Sequence, residues 1–414
     1  MMRLSFQNCY HGFVCCLILL LSTPRIINAA DADIYLEVAA GKHARKQTVI
    51  RYELPKKLQH EKHFSLVRVD NGKSIPVQAE STAKGNSLFW ILEEELPAKS
   101  IRKYQLQASK QAGKSTHVVT LKDDGKQILI KVGEKPVLVY HHAIVKSSIP
   151  DEPYYARSGY IHPLYTPSGK VMTDDLNPDH AHQHGIMFAW RKLQFDGRHN
   201  NAWDQKAMLG RIEHAEIKSI TSGNVFGTLT VLIKHIDLTG PQGAVTMLDE
   251  NWKIRVFAIQ DHFLFDIIST QTCATEKPVL IEKYHYGGMT IRGSAEWTDA
   301  NLCNFLTSEG KTRADGNHTR PNWVEMHGSL NDERVGVTIF DHPENFRFPQ
   351  PVRLHPSMPY FCFVPAQLGE FSIEPEKPFV SKYRYCVHTA KPNAAANQIW
   401  KNYTQSLHAH LVKE

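Results

Sequence analysis

The sequence predicts a mostly β protein, with a small N-terminal β-sandwich, a larger antiparallel two-sheet sandwich and a short C-terminal helix. Short apolar runs with a two-residue alternation recur from Asp33 onward, and turn-forming residues such as Asp70-Asn71-Gly72 and Asp124-Gly125 separate them. Helical periodicity is scarce until the C-terminal segment, where the pattern from Asn393 to Val412 is compatible with a helix.

The length of 414 residues exceeds what one hydrophobic core usually serves, so we expect two domains. The short strands of residues 31–115 predict a small sandwich, which has no cluster of histidine, cysteine or acidic residues and is interpreted as an accessory module. A polar stretch at residues 110–115 predicts a linker. The longer strands of residues 116–414 predict the large sandwich that carries the site.

The composition is that of a soluble globular protein, with 42% apolar and 22% charged residues. The formal charge of +6 is small for this length, and the lysines and arginines are scattered. A nucleic-acid partner is therefore not predicted.

The N-terminus has the pattern of a signal peptide over residues 1–30. Arg3 supplies the positive charge, Phe13 to Ser22 is a short apolar run, and Asn28-Ala29-Ala30 provides small residues for cleavage. We expect export to the periplasm or the extracellular space. No later stretch is long and apolar enough for a membrane helix, so no stable membrane insertion is expected after signal removal.

Cysteine usage excludes two common site classes. Three of the seven cysteines lie in the predicted signal peptide, and the others, at positions 273, 303, 362 and 386, form no CxxC pair. Zinc-ribbon and CxxC redox motifs are therefore absent. A disulfide is compatible with export, but the spacing does not require one, and buried thiols are the favoured interpretation for most of the four.

Three histidines at alternate positions, His180, His182 and His184, precede the apolar run from Ile186 to Trp190, which predicts a buried strand. In an extended strand, side chains two residues apart share one face, so the three imidazoles would converge. Three interpretations remain open: they hold a divalent metal, they exchange protons with a substrate near neutral pH, or they satisfy hydrogen bonds in the core.

A second block runs from Glu282 to Arg292. Glu282 and Tyr284 alternate on a predicted strand and are candidate acids, and Arg292 is a candidate clamp for the carboxylate of a uronic acid. The Gly287-Gly288 pair is compatible with a bulge. The alternative is a sheet face stabilised by aromatic pairs.

A third block, Asp341 to Arg347, is a proline-containing loop after an apolar strand. Its candidate binding residues are His342, Asn345 and Arg347, and the alternative is a plain turn built by aspartate and proline. An upstream polar and aromatic loop adds three further candidate binding residues, Arg157, His162 and Tyr165. A second loop, with Trp203 and Asp204, adds a candidate platform for stacking on a sugar ring.

Signatures of several other enzyme classes are absent. The sequence has no G-x-S-x-G elbow, no P-loop and no dinucleotide-type glycine fingerprint. Serine-hydrolase, NTPase and NAD-linked functions are therefore not predicted.

The chain resembles secreted bacterial proteins labelled PmoA-like. The resemblance rests on the segment from Ser158 to Tyr165, on Asp179-His180-Ala181-His182, on Tyr284 to Gly288 with Arg292, and on the third block. Of the family pattern DHPHHR, His180 and His182 match, whereas Gln183 and His184 differ. The resemblance implies a β-sandwich like that of galactose mutarotases and a protein that acts on or binds carbohydrate.

These observations predict an exported carbohydrate-active protein that performs acid–base chemistry on a sugar or uronic acid. His180 or His182 would be the base, Tyr284 or Glu282 the acid, and Arg292 the clamp. The alternatives are a metal-dependent oxygenase or hydrolase that uses the three histidines, and a non-catalytic glycan-binding protein. Each of these proposed functions requires the three blocks of residues to meet at one pocket.

Overall fold

The computed structural model describes residues 34–82, 85–111, 113, 115, 117–389 and 394–412, so the predicted signal peptide lies outside the described residues. Within these ranges the fold is almost entirely β, with one α-helix and four short 3-10 helices. The helices are α1 (Ala394–Thr404) and the 3-10 turns Lys56–Leu58, Pro153–Tyr155, Gln205–Ala207 and Pro365–Leu368.

The strands follow one another in chain order. Those before residue 110 are β1 Ile34–Ala39, β2 Thr48–Glu53, β3 His63–Arg68, β4 Ser74–Ile75, β5 Gln78–Thr82, β6 Gly85–Leu92 and β7 Ile101–Ser109. Those up to residue 260 are β8 Val119–Asp123, β9 Gln127–Val132, β10 Lys135–His141, β11 Tyr160–Leu164, β12 Ile186–Trp190, β13 Leu193–Phe195, β14 Arg198–Asn200, β15 Gly210–Thr221, β16 Phe226–Asp237 and β17 Val245–Phe257. The last are β18 Phe263–Cys273, β19 Val279–Ile281, β20 Gly287–Arg292, β21 Cys303–Thr307, β22 Trp323–Leu330, β23 Glu333–Asp341, β24 Val352–Leu354, β25 Tyr360–Phe363, β26 Phe371–Ile373, β27 Phe379–Thr389 and β28 Leu407–Leu411.

The first sheet has eight strands in the order β4-β3-β7-β1-β28-β2-β6-β5. Its strands alternate buried and exposed residues, as in β1, because one face encloses an apolar core that includes Leu36, Ile50 and Trp90. The C-terminal strand β28 lies in the middle, antiparallel to β1 and parallel to β2. The predicted boundary placed residues 407–411 with the large unit and inside a helix, whereas they complete the small one as a strand.

Two further eight-stranded sheets form the large sandwich and confirm the predicted antiparallel two-sheet architecture. Their orders are β15-β16-β17-β18-β27-β23-β22-β21 and β24-β25-β20-β12-β11-β10-β9-β8. Both contribute to one continuous core, with Trp252 and Phe265 from one sheet and Phe188 and Phe361 from the other. The predicted strand Ile186–Trp190 is confirmed, and all five of its residues are buried. A small sheet, β14-β13-β19-β26, adds a fourth element.

Helix α1 connects the two units. Its Trp400 side chain donates a hydrogen bond to the carbonyl of Asp341 at 3.0 Å, and Asn397 accepts one from Trp323 at 2.9 Å. An apolar cluster that includes Phe89, Phe226 and Ala396 fills the junction between the first sheet, the large sandwich and this helix.

No disulfide joins Cys273, Cys303, Cys362 or Cys386, and all but Cys273 are buried. In the part of the chain that the structure describes, no helix has the length and apolar character needed to cross a membrane.

Gly185 closes the loop of residues 174–185 immediately before β12. Its N–H donates to the carbonyl of Asp174 at 2.9 Å, and its carbonyl accepts from the N–H of Arg292 at 2.7 Å. The residue has φ +33, and a Cβ atom there would lie 2.0 Å from the carbonyl oxygen of Ile161. Only glycine fits this close approach between loop and strand.

We expect Gly185→Ala to destabilise the protein by at least about 2 kcal/mol more than Gly169→Ala, measured by chemical denaturation. Both substitutions carry the cost of a left-handed backbone, but Gly169, with φ +87, has no atom within 4 Å of the added Cβ. Equal losses for the two variants would show that the contact with Ile161 does not constrain the loop.

Candidate functional site

The histidine segment is a turn, and the prediction of a strand with three imidazoles on one face is wrong. The N–H of His180 bonds to the carbonyl of Asn177 at 3.0 Å, and that of Gln183 to the carbonyl of His180 at 2.9 Å. The Asn177 side chain also donates to Asp174 at 2.8 Å and accepts from the N–H of Asp179. This Asn-Pro-Asp turn chemistry outweighs the alternating pattern.

His184 lies in the core and not with the other two histidines. It is 1% exposed; its Nδ1 donates to Asp175 at 2.6 Å, and its Nε2 accepts from Gln205 at 3.1 Å. Because both ring nitrogens are engaged, His184 cannot complete a metal site with His180 and His182. In the described part of the chain, no three His, Cys, Asp or Glu side chains are grouped to hold a metal ion. The positions of these side chains therefore do not support the alternative in which all three histidines hold a divalent metal.

Asp175 is the acceptor at the centre of this polar network. The hydroxyl of Tyr160 donates to its second oxygen at 2.6 Å. Burial raises the pKa of this carboxyl, but the hydrogen bonds from His184 and Tyr160 outweigh burial and hold the pKa at about 2. Asp175 is thus ionised throughout the neutral range and orients His184.

Arg157 and His162 belong to the same buried region. Arg157 is 2% exposed, and none of its three guanidinium nitrogens has a hydrogen-bond partner among the described residues. Burial lowers its pKa to about 10, opposed by Tyr160 and other nearby acids. His162 Nδ1 is 3.0 Å from the hydroxyl of Thr173. Neither residue lines the cleft described next, so their positions do not support the prediction that they bind the substrate there.

A cleft of about 380 Å³ lies at the edge of the sheet where β12 begins, β20 ends and β25 begins. Three segments line it: part of the histidine loop, the end of β20 with residues 294–298, and the loop of residues 355–359. The register pairs Ile186 with Ile291 and Arg292 with Tyr360, which brings these segments side by side. His180 and Arg292, predicted from separate blocks, therefore meet.

Arg292 is buried in the wall of this cleft. Its Nη1 donates to Gln183 at 3.1 Å, and its Nε lies 3.7 Å from a carboxylate oxygen of Asp174. That Nε has no hydrogen-bond partner among the described residues. Burial lowers the pKa of Arg292, with Asp174 acting in the opposite direction. The contacts with Gln183 and Asp174 fix the orientation of the guanidinium in the wall of the cleft.

His180 and His182 remain close together, with ring centroids 5.5 Å apart. Burial lowers the pKa of His180, as does Arg292, and lowers the pKa of His182 to about 4 although Asp204 opposes it. The Nδ1 atom of His180 is buried and has no partner among the described residues. Both imidazoles are therefore neutral at pH 7, and that of His180 can accept a proton.

His355 is a cleft residue that the sequence analysis missed. Its ring centroid is 5.7 Å from that of His180. Its Nδ1 accepts hydrogen bonds from the N–H groups of Ser357 at 3.3 Å and Met358 at 3.0 Å. Burial lowers its pKa to about 4, with Arg353 and other cations contributing. The proton of the neutral ring is therefore on Nε2, which makes His355 a donor. The only signal in the sequence is a histidine in a proline-rich loop after a strand.

Aromatic side chains extend from the cleft behind His355. The rings of Trp203, Tyr286 and Tyr360 are 6.0 to 6.1 Å apart, and Arg353 donates to the Tyr286 hydroxyl at 3.1 Å. Trp203 is 2% exposed, so the predicted stacking platform is wrong: it packs in the core. Asp204 accepts from the N–H of Lys206 and caps a 3-10 turn.

Glu282 and Tyr284 do not line the cleft. Their segment lies between β19 and β20 and is not a strand. Glu282 accepts from the side chain of Gln194 at 2.6 Å, and Tyr284 lies under the ammonium of Lys192 at 4.8 Å. The prediction of these two as the catalytic acid is therefore not supported by their positions.

The third block lies elsewhere, beside α1, and the prediction that it lines the same pocket is wrong. Asn345 donates to Asp341 at 2.7 Å and to the carbonyl of Lys382 at 2.8 Å. Arg347 donates to three carbonyls, those of residues 365, 369 and 370. His342 packs against Tyr403 of α1, with ring centroids 4.9 Å apart. All three stabilise loops.

The fold and site define an antiparallel β-sandwich protein with a histidine- and arginine-lined cleft at one sheet edge. The chain belongs to DUF6807, a family of unknown function, whose family model matches residues 127–401. This match does not support the label PmoA-like. No curated protein matches the chain.

Three solved structures are distantly similar. A glycosyl hydrolase family 38 protein from Enterococcus faecalis has 8% identity and a TM-score of 0.46 over 92% of this chain and 47% of its own. An α-mannosidase from E. faecalis V583 has 9% identity and a TM-score of 0.40 over 92% and 46%. A galactose mutarotase related enzyme from Lactobacillus acidophilus has 8% identity and a TM-score of 0.30 over 65% and 97%. The chain spans about half the length of the first two, and none of these likenesses decides an activity.

We expect Asp175→Asn to lower the free energy of unfolding by about 2 kcal/mol at neutral pH. The pKa of Asp175 in the folded protein, about 2, is below its ordinary value of 3.8. Its ionised form therefore stabilises the fold above about pH 4, and this contribution is lost as the pH falls toward about 2. Denaturation at several pH values measures it. The exposed Asp332→Asn variant is the control, and a difference between the two that does not shrink in acid contradicts the assignment.

We expect Asn345→Ala to lower the free energy of unfolding by about 2 to 3 kcal/mol, because it removes three hydrogen bonds and leaves buried groups without partners. Glu344→Gln, at an exposed neighbour, should change it by less than about 0.5 kcal/mol. Ligand affinity should be unaffected in both folded variants. If the Asn345→Ala protein is stable but no longer binds saccharide, the third block contributes to the binding site after all.

Proposed function

We propose that this chain is an exported carbohydrate-active protein that performs acid–base chemistry on a sugar or uronic acid in the cleft. The observation that carries the proposal is the convergence of a neutral imidazole with a buried unpartnered Nδ1, a second imidazole with its proton on Nε2, and an arginine with an unpartnered Nε. Convergent polar groups with shifted pKa values in a concave site are typical of catalytic centres.

Each group has a distinct role. His180 is the base that takes a proton from a sugar carbon or hydroxyl, since burial keeps it neutral. Arg292 binds a carboxylate or hydroxyl and neutralises the negative charge that develops when a proton beside that carboxylate is removed. His355 donates a hydrogen bond from Nε2 to a substrate oxygen. For a uronic acid, this set suits elimination or epimerisation.

The two alternative functions, glycan binding without catalysis and a metal-dependent reaction, make different demands on the same residues. Non-catalytic glycan binding needs the cleft but not the proton acceptor of His180. A metal-dependent reaction would need His184 as one of three metal ligands, but both ring nitrogens of His184 bond to Asp175 and Gln205. Export is supported only by the pattern of the N-terminal residues and is part of the proposal.

Incubation of the mature protein with a panel of neutral and uronic-acid glycans, with product detection by mass spectrometry, tests the function. His180→Ala should reduce kcat by about 10²-fold or more while substrate affinity changes little. Arg292→Lys should raise KM for uronic acids more than for neutral sugars, because lysine cannot bind a carboxylate through two nitrogens.

The matched control is His342→Ala, another half-buried histidine, far from the cleft lining, which should leave turnover unchanged. No turnover on either class of sugar contradicts the enzymatic proposal. Saccharide binding that survives His180→Ala, without turnover in the unmodified protein, identifies a glycan-binding protein.

A further inference from the structure

A second cavity, of about 210 Å³, lies at the junction of the first sheet, α1 and the outer face of the large sandwich. We call it the junction cavity and define it by Gln47, Leu264, Glu325, Thr338, Cys386 and Ile399. It shares no lining residue with the cleft. This volume is far above the about 10–15 Å³ that one water needs, so the cavity can hold a small organic molecule.

Four residues that lie side by side on four adjacent strands form the floor of the junction cavity. Glu325 on β22 is opposite Thr338 on β23, which is opposite Cys386 on β27, which is opposite Leu264 on β18. The neighbours of Glu325 in sequence, Val324 and Met326, belong to the core between the sheets. Since side chains alternate along a strand, Glu325 points outward, into the cavity.

Glu325 is a buried carboxylate without a hydrogen bond. It is 3% exposed, and its Oε1 lies 3.6 Å from His327 Nδ1 and 3.7 Å from His388 Nε2. Among the described residues, no donor is within hydrogen-bond distance of it. A buried carboxylate is stabilised by a hydrogen-bond donor, so the polar floor of the cavity suits a ligand that carries one.

Burial has the largest effect on the Glu325 carboxyl and raises its pKa, whereas the charge of Arg334 acts in the opposite direction. Arg384 is held by two hydrogen bonds to Asp266, at 2.7 and 2.9 Å. Lys46 and Glu95 are exposed at the rim and opposite in sign. The histidines that face the cavity floor are His262, His327 and His388. The rest of the wall is apolar, with Leu264, Ala396 and Ile399.

We propose that the junction cavity binds a small organic cation, a primary amine with an aliphatic body. The ammonium group donates to the Glu325 carboxylate and restores charge neutrality, and the aliphatic body packs on Leu264, Ala396 and Ile399. An alcohol of the same length would leave the ionised carboxylate without a counter-charge.

The protonation of Glu325 gives the binding a pH dependence. Burial raises its pKa to about 7. The carboxyl is therefore largely neutral in mild acid, and the amine binds tightly only above about pH 7. Conversely, ionisation of this buried group destabilises the unliganded protein as the pH rises from its ordinary pKa of 4.5 through about 7.

Isothermal titration of the full mature chain with n-hexylamine at about pH 8 and about pH 5.5 tests the proposal, with 1-hexanol as the uncharged probe of equal length. We expect saturable amine binding at the higher pH, at least tenfold weaker affinity at the lower pH, and at least tenfold weaker binding of the alcohol. Equal affinity for the two probes, or no binding of hexylamine, overturns the proposal.

Two variants distinguish the contribution of the Glu325 charge to amine binding from the contribution of the cavity's shape. Glu325→Gln should weaken hexylamine binding at least tenfold, and Ala396→Leu should do the same by filling the cavity while the charge stays. Glu309→Gln, at an exposed surface position, is the charge control and should bind as the unmodified protein does. The fold of Glu325→Gln is verified by its stability, which should exceed that of the unmodified protein at about pH 8 and match it at about pH 4. A Glu325→Gln protein that is folded and still binds the amine equally refutes the site.

Discussion

The main-chain bonds of Gly185 to Asp174 and to Arg292 are the constraint on which the candidate site depends. They fold the histidine loop onto the end of β20, so that groups more than a hundred positions apart in sequence face one cleft. The polar network of Asp175, His184 and Gln205 then anchors the other side of the loop in the core. His184, which the sequence suggested as a candidate metal ligand, instead positions the loop that carries His180.

Burial determines the chemistry of the cleft. It keeps the imidazoles of His180, His182 and His355 neutral, and it leaves Arg292 as the main positive charge, with Asp174 close by. Neutral imidazoles act as bases or as hydrogen-bond donors according to which nitrogen carries the proton. Here two backbone N–H groups decide this for His355, so its role follows from loop geometry and not from its pKa alone.

The sequence was sufficient where local pattern and tertiary environment agree. The apolar run Ile186–Trp190 is a strand because both of its faces are buried, and the meeting of His180 with Arg292 followed from their positions beside strands. The histidine turn was missed because an Asn-Pro-Asp turn can carry an alternating pattern by accident. His355 was missed because the two N–H groups that define its role are contributed by its own loop, a contact without a sequence motif. The third block was misplaced because turn-building and ligand-binding residues are of the same types.

The central position of β28 in the first sheet has a consequence for biosynthesis. β1 and β2 are synthesised before the large sandwich, but the strand that joins them is synthesised after it, so the first sheet stays incomplete until residues 407–411 have been made. Its edges must be shielded meanwhile, because unpaired strands invite association with other chains. The N-terminal unit is therefore not a detachable module, because its sheet needs residues 407–411 to join β1 to β2.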